Sequence, residues 1–248
     1  MIEEELEIQT ADGIVDCVLY HGRKGSRPGV LHFPDGIGTR PSQRQMAQRV
    51  AREGYTVLLP NIYYRTAKAP FFDPMPDFND PRVKARFGEL TAPLTPQKME
   101  EDGAAYVDFL ASRPEASNGP IGAVGFCFTG AFALRTAAAC GSKIGAAASF
   151  HGGGLWKDDP ASAHHLLPRV TARLYFGHAR DDRGMPAEAI TRFEQALAAW
   201  GGSYESEVYD ALHGWTVADS RAYDEPEAER AFAKLRELFA ANAPVRDR

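Results

Sequence analysis

Positive charge in excess, long hydrophobic runs and paired cysteines are all missing from this chain of 248 residues. Lys and Arg number 28 against 33 Asp and Glu, a net charge of -5, and the bases are scattered among acids. Such a chain offers no electrostatic footprint for a phosphate backbone or an anionic lipid surface, so nucleic acid is not expected as a partner. No apolar run approaches the length that crosses a bilayer, and the acidic start Met1-Ile2-Glu3-Glu4-Glu5-Leu6 lacks the basic and apolar regions of a signal peptide. No membrane association is expected, and the expected location is cytoplasmic. The cysteines, Cys17, Cys127 and Cys140, are odd in number, far apart and without a CxxC pair, so they read as free thiols. Of the histidines, His21 sits at a turn, His32 lies within a strand and His164-His165 lies in a loop without spaced partners. Neither a metal site nor a cofactor is expected.

What remains is ordinary globular material, 44% hydrophobic and 25% charged, expected to form one domain over residues 1–248. Residues 2–9 and 14–20 alternate apolar and polar side chains around Ala11-Asp12-Gly13, the pattern of an antiparallel hairpin. Strand patterns follow at 28–33, 55–59, 121–126, 145–150, 173–176 and 204–209. Between and after them come helical patterns at 41–53, 97–112, 186–200 and 225–240. Strands alternating with helices imply a mostly parallel central sheet with helices on both faces, the hairpin adding an antiparallel edge. The stretch 61–96 breaks the rhythm. It is rich in proline and aromatics, including Tyr63, Tyr64, Phe71, Phe72, Phe78 and Phe87, and reads as a lid or substrate-facing insertion, with a packed surface insertion as the alternative.

Residues 121–130 read Ile-Gly-Ala-Val-Gly-Phe-Cys-Phe-Thr-Gly, an apolar strand running directly into an alanine-rich helix. A chain that turns this sharply holds its corner residue in a strained conformation, tolerated only between small neighbours, here Gly125 and Thr129. Cys127 therefore occupies the nucleophile seat of an elbow, although the pentapeptide alone also fits a small buried hydrophobe. In a parallel sheet, reactive groups collect beyond the carboxyl ends of strands. Asp181 and Asp182 follow the strand at 173–176, and His213 follows the strand at 204–209. Nucleophile, acid and histidine thus stand in the chain order of the α/β-hydrolases. His213 would take the thiol proton, and an aspartate would fix its tautomer. Asp182 is preferred because Pro186 can begin a helix four residues later, with Asp181 as the alternative. The oxyanion donors would be the amides of Gly36 and Phe128. His151-Gly152-Gly153-Gly154 looks like an oxyanion string but follows the nucleophile in the chain, so His151 is read as a pocket residue near substrate.

These segments resemble the dienelactone hydrolase family, α/β-hydrolases with a Cys-Asp-His triad. The likeness rests on Phe33 to Gly38, Pro60 to Arg65, Gly125 to Gly130, Asp182 to Pro186 and Tyr209 to Trp215. It implies an α/β-hydrolase fold and a Cys127 attack on a small ester or lactone, with Asp182 and His213 in support. A glutamate common in the family, placed near the resting thiol, is replaced by Asp35, one methylene shorter, with a loop-capping role as the alternative. Thr129 replaces a frequent glycine and is expected to crowd the turn slightly. Val217 stands where dienelactone-cleaving members carry a carboxylate-binding arginine; Arg65 and Arg86 are the candidate substitutes, and Trp215 is a further substrate or thiol neighbour. A non-catalytic binding or regulatory protein and an acyltransferase are the other readings of the same residues.

Overall fold

A computed structural model describes residues 1–23, 26–73, 75–117 and 119–244. The chain opens with β1 (Ile2–Thr10) and β2 (Gly13–His21), paired antiparallel from Ile2 with His21 through to Thr10 with Gly13. Gly13 closes the tight turn with φ 138°, a conformation that suits glycine. Then follow β3 (Gly29–Phe33), α1 (Pro41–Arg52), β4 (Thr56–Pro60), α2 (Pro81–Thr91), α3 (Pro96–Ser112) and β5 (Ile121–Phe126). The second half supplies α4 (Thr129–Cys140), β6 (Ile144–Phe150), β7 (Arg173–Ala179), α5 (Ala187–Trp200), β8 (Tyr204–Tyr209) and α6 (Glu225–Asn242). Among the described residues, no helix is long and apolar enough to cross a membrane.

The sheet has eight strands in the order β1-β2-β4-β3-β5-β6-β7-β8. From β4 onward every pairing is parallel, while β2 meets β4 antiparallel. Strands β3, β4 and β5 are buried along their whole length, which is why their sequences run as apolar or small residues broken only by His32, whose ring nitrogen is paired with Gln43. Edge strand β1 instead carries Glu3, Glu4, Glu5 and Glu7, charges that discourage pairing with another chain. One face is covered by α1 and α6 through Val50, Ala231, Leu235 and Phe239; the other takes Tyr106, Phe132 and Phe193 from α3, α4 and α5.

The order of winding reverses at β3, which has β4 on one side and β5 on the other. A crevice opens at such a reversal beyond the carboxyl ends of the strands. Register aligns Phe33 with Gly125, Phe126 with Phe150, Phe150 with Gly177, and Ala179 with Tyr209. The loops that begin at Pro34, Cys127, His151, Arg180 and Asp210 therefore leave the sheet along one rim.

Two features depart from the sequence reading. Strand β7 extends to Ala179, so Gly177-His178-Ala179 belong to the sheet. The stretch 61–96 is not irregular throughout, because it contains α2. Asp80 caps that helix by accepting the Arg82 N–H at 2.8 Å, and Pro81 takes a first-turn position where its missing N–H costs nothing. Val83, Phe87 and Leu90 follow at helical spacing, a signal hidden among prolines.

Candidate active site

Cys127 sits at the corner between β5 and α4 with φ 58°, in the left-handed region. The corner closes so tightly that a Cβ at Gly125 would lie 2.0 Å from the Thr129 carbonyl oxygen. Glycine is obligatory there. A Cβ at Gly130 would lie 2.0 Å from Ser149 Oγ, which holds α4 close against the end of β6.

Thr129 does more than fit. It is wholly buried, and its Oγ1 accepts the Phe126 N–H at 2.9 Å. Its hydroxyl hydrogen faces the Phe126 carbonyl at 2.8 Å and the Phe33 carbonyl at 3.1 Å. The expected crowding is replaced by a latch that ties the elbow to both β5 and β3, a bonding pattern with no local sequence signal. Thr129→Val keeps the shape but strands the Phe126 amide, so it should cost about 2 kcal/mol of folding stability. Urea unfolding measures this directly; an unchanged midpoint would mean the latch contributes nothing.

The other two cysteines are chemically quiet. Burial raises the Cys17 thiol far above its usual range and pushes Cys140 up to about 11. Cys127 and Cys140 are both partly exposed, and of the two Cys127 stands at the rim beyond the end of β5.

His213 follows β8, and its Nδ1 lies 2.6 Å from Asp182 Oδ2. Asp182 is buried, and its other oxygen accepts the Gly184 N–H at 2.7 Å. Burial alone would raise this carboxyl, but the hydrogen bond and charge of His213, with the Gly184 N–H, hold it below the ordinary carboxylate value. Burial likewise opposes the His213 imidazolium, yet the hydrogen bond to Asp182 and the charges of Cys127 and Asp182 prevail. The imidazole is pushed up to about 10. The structure thus joins His213 to Asp182, with the charge of Cys127 acting on the same ring. Asp181 is exposed, with φ 52°, and takes no part in it.

Gly36 and Phe128 also meet. A Cβ at Gly36 would lie 3.7 Å from the Phe128 ring and 2.9 Å from the ring of Phe87 on α2. Tyr63 donates its hydroxyl to the Gly36 carbonyl at 3.0 Å, fixing that loop. Phe128 is the N-cap residue of α4, so its amide lies at the helix start, where N–H groups lack helical acceptors.

A sharp elbow, an acid-histidine pair and two amide-bearing loops on one rim therefore coincide with a sheet of α/β-hydrolase order. The dienelactone hydrolase family model matches residues 15–243. The chain belongs to that family. A putative carboxymethylenebutenolidase of Synechocystis is 26% identical over 219 residues, covering 87% of this chain and 86% of its own. The carboxymethylenebutenolidase of a Pseudomonas species is 26% identical over 226 residues, covering 90% of this chain and 88% of its own. Among solved structures, a putative dienelactone hydrolase from Klebsiella pneumoniae superposes with a TM-score of 0.85 at 20% identity, over 96% of this chain and 98% of that one. As a member of the dienelactone hydrolase family the chain is a hydrolase of ester or lactone bonds, with the α/β-hydrolase fold.

Other sequence candidates occupy different positions in this member of the family. Asp35 is buried and grips Arg40 at 2.6 and 2.9 Å, with Oδ1 also accepting the Ile37 N–H at 3.0 Å. Arg40 in turn donates twice to Asp219, each at 2.8 Å. Asp35 is thus part of a carboxylate-guanidinium-carboxylate brace between its own loop and the loop after His213. The partners Arg40 and Asp219, 179 positions apart, were not legible in sequence.

Arg65 is not free for a substrate carboxylate. It donates to both oxygens of Asp102, at 2.7 and 2.8 Å, and reaches Asp12 at 2.7 Å. Its job is to brace the hairpin turn against α3. Arg86 pairs with Glu89 one turn along α2 at 3.1 Å. Trp215 is fully buried, stacked on Tyr209 at 4.7 Å and edge-on to His151 at 5.0 Å, so it supports the site from beneath and does not face substrate. His151 is buried as well, at 1% exposure, which removes it from the pocket wall expected from sequence. Val217 is buried at the family's arginine position. No cluster of three or more His, Cys, Asp or Glu suited to a metal ion occurs among the described residues.

Proposed function

We propose that this chain hydrolyses a small ester or lactone through an acyl-enzyme on Cys127. The observation that carries the reading is the 2.6 Å bond between Asp182 and His213, a ring on which the charge of Cys127 also acts. A protonated His213 gives the Cys127 thiolate its counter-charge, and the thiolate is the form that attacks. Sulfur adds to the carbonyl carbon while the carbonyl oxygen gains negative charge, met by the amides of Gly36 and Phe128. Collapse breaks the carbon-oxygen bond to the leaving alcohol, which takes the His213 proton. Water then gives a proton to neutral His213 and attacks the thioester, releasing the acid and restoring the Cys127 thiolate beside protonated His213.

The substrate in this reading is neutral near its carbonyl and small. Arg40 and Arg65 each hold two carboxylates, and the walls beside Phe128 are aromatic, with Tyr63 stacked at 6.4 Å and Phe87 edge-on at 5.8 Å. The relatives are named for a lactone that carries a carboxylate; here Val217 replaces the cation expected for it. Residues 61–96 form the movable wall in this reading. Leu90 is the one fully buried residue of α2, which places the helix at the low-stability end of the fold.

Turnover of short p-nitrophenyl esters and simple lactones, blocked by iodoacetamide in proportion to labelling of Cys127, is the expected result. Absence of turnover with an accessible, unmodified thiol would refute the reading. Phe87→Ala should open the wall over Gly36 and raise kcat/KM for a hexanoyl ester relative to the acetyl ester by about tenfold. An unchanged ratio would place Phe87 outside the acyl site.

A further inference from the structure

His151 sits behind the elbow, at the end of β6, on the side away from solvent. We infer that His151 is a positioning residue, a neutral imidazole that clamps the Cys127 amide on one side and braces the His213 ring on the other. This rests on the proposed role of Cys127 and His213, and adds a residue to it.

The hydrogen bonds determine the tautomer. Cys127 N–H donates to His151 Nδ1 at 3.0 Å, shared with the Phe150 carbonyl at 3.1 Å. A nitrogen that accepts carries no proton, so the proton is on Nε2, 2.8 Å from Thr216 Oγ1, to which it donates. The His151 backbone is itself held in the left-handed region at φ 41° by donation to the Gly177 carbonyl at 2.8 Å. Its ring meets His213 at 4.9 Å and 61°, Trp215 at 5.0 Å and 71°, and Phe126 at 6.1 Å. The titratable groups facing it are Cys127 on the elbow and His213 on the loop after β8, with Asp182 behind His213. Burial, followed by the charge of His213, holds His151 well below the usual histidine value, so it remains neutral beside the imidazolium.

The consequence is geometric. The peptide before Cys127 is pinned by two acceptors, so the strained corner cannot roll, and the next amide, on Phe128, keeps its aim at the developing oxyanion. This arrangement acts at the transition state more than on substrate binding. His151→Phe keeps a ring against His213 and Trp215 but removes the acceptor. His151→Asn puts an amide oxygen near the Nδ1 position and tolerates a positive φ. Thr216→Val leaves the ring in place and frees its far edge.

The test compares these variants with the intact enzyme on p-nitrophenyl acetate, alongside nitrogen NMR of the histidine rings. Expected are a kcat about tenfold lower in His151→Phe with KM unchanged, recovery of most of that loss in His151→Asn, and a smaller loss in Thr216→Val. The nitrogen shifts of His151 should report an Nε2-protonated neutral ring throughout the range pH 5 to 8. A ring protonated on Nδ1, or on both nitrogens, would overturn the assignment even if His151→Phe failed to fold. So would equal losses in the Phe and Asn variants that track melting temperature. If wild-type enzyme lacked turnover altogether, the acyl-enzyme reading would fail while the tautomer measurement still decided the clamp.

Discussion

Cys127→Ala is expected to lower ester turnover by about 10⁵-fold, to the level of the uncatalysed reaction, while the protein stays folded. No neighbouring group can take over. Cys17 and Cys140 are held as thiols by burial, the Thr129 and Thr216 hydroxyls are engaged in hydrogen bonds to Phe126 and His151, and the Tyr63 hydroxyl is bound to the Gly36 carbonyl. Alanine accepts the left-handed corner about as well as cysteine does, so unfolding should shift by no more than about 0.5 kcal/mol. Kinetics with p-nitrophenyl acetate and a thermal melt measure both. Retained activity in a folded alanine variant would mean that another group attacks.

Asp182→Asn is expected to reduce kcat by about 10³-fold, because an amide no longer stabilises the imidazolium and can hold His213 in the wrong tautomer. It should also change how stability depends on pH. The folded His213 is pushed up to about 10 from an ordinary value near 6.5, so between those limits the native state binds a proton that the unfolded chain does not. That contribution is fully present below pH 6.5 and lost as pH rises through about 10. Asp182 has the opposite sign: its folded value lies below the ordinary 3.8, so its contribution is present above 3.8 and lost as pH falls further. Melting temperature of the wild type should therefore fall from pH 7 to 10 more steeply than that of Asp182→Asn. Parallel curves would show that the pair does not carry the linkage. His213 is partly open to solvent, with 37% of its side chain exposed, so salt should flatten the wild-type slope.

What could be read from the sequence is what is local. Gly125 to Gly130 forms an elbow because the strand, the corner and the helix start lie within ten residues, and the hairpin is announced by alternation around Ala11-Asp12-Gly13. The chain order Cys127, Asp182, His213 was legible because each follows its own strand, and the geometry selects Asp182 over Asp181 as the histidine partner. Contacts between distant segments were not legible. Arg65 looked available for substrate until its pairing with Asp102 and Asp12 was seen; for Asp35 the loop-capping alternative matches its bond to the Ile37 N–H, while the grip of Arg40 and Asp219 was not legible. Thr129 was read by size alone, as compatible with the turn: side-chain size is visible in a sequence, but the three backbone groups that meet its hydroxyl are not. Helix α2 was hidden because proline and aromatic content outweighed its short Val83-Phe87-Leu90 pattern.

The central claim is that Cys127 carries the acyl group. Intact-protein mass spectrometry during turnover of a slowly hydrolysed ester, quenched in acid and followed by peptide mapping, tests it most directly. The expected result is one acyl increment per chain, located on the peptide containing Cys127, released by hydroxylamine and absent in Cys127→Ala. An acyl group mapped to a serine, threonine or another cysteine, or steady turnover with no trapped adduct on Cys127 under conditions where deacylation is rate-limiting, would contradict it.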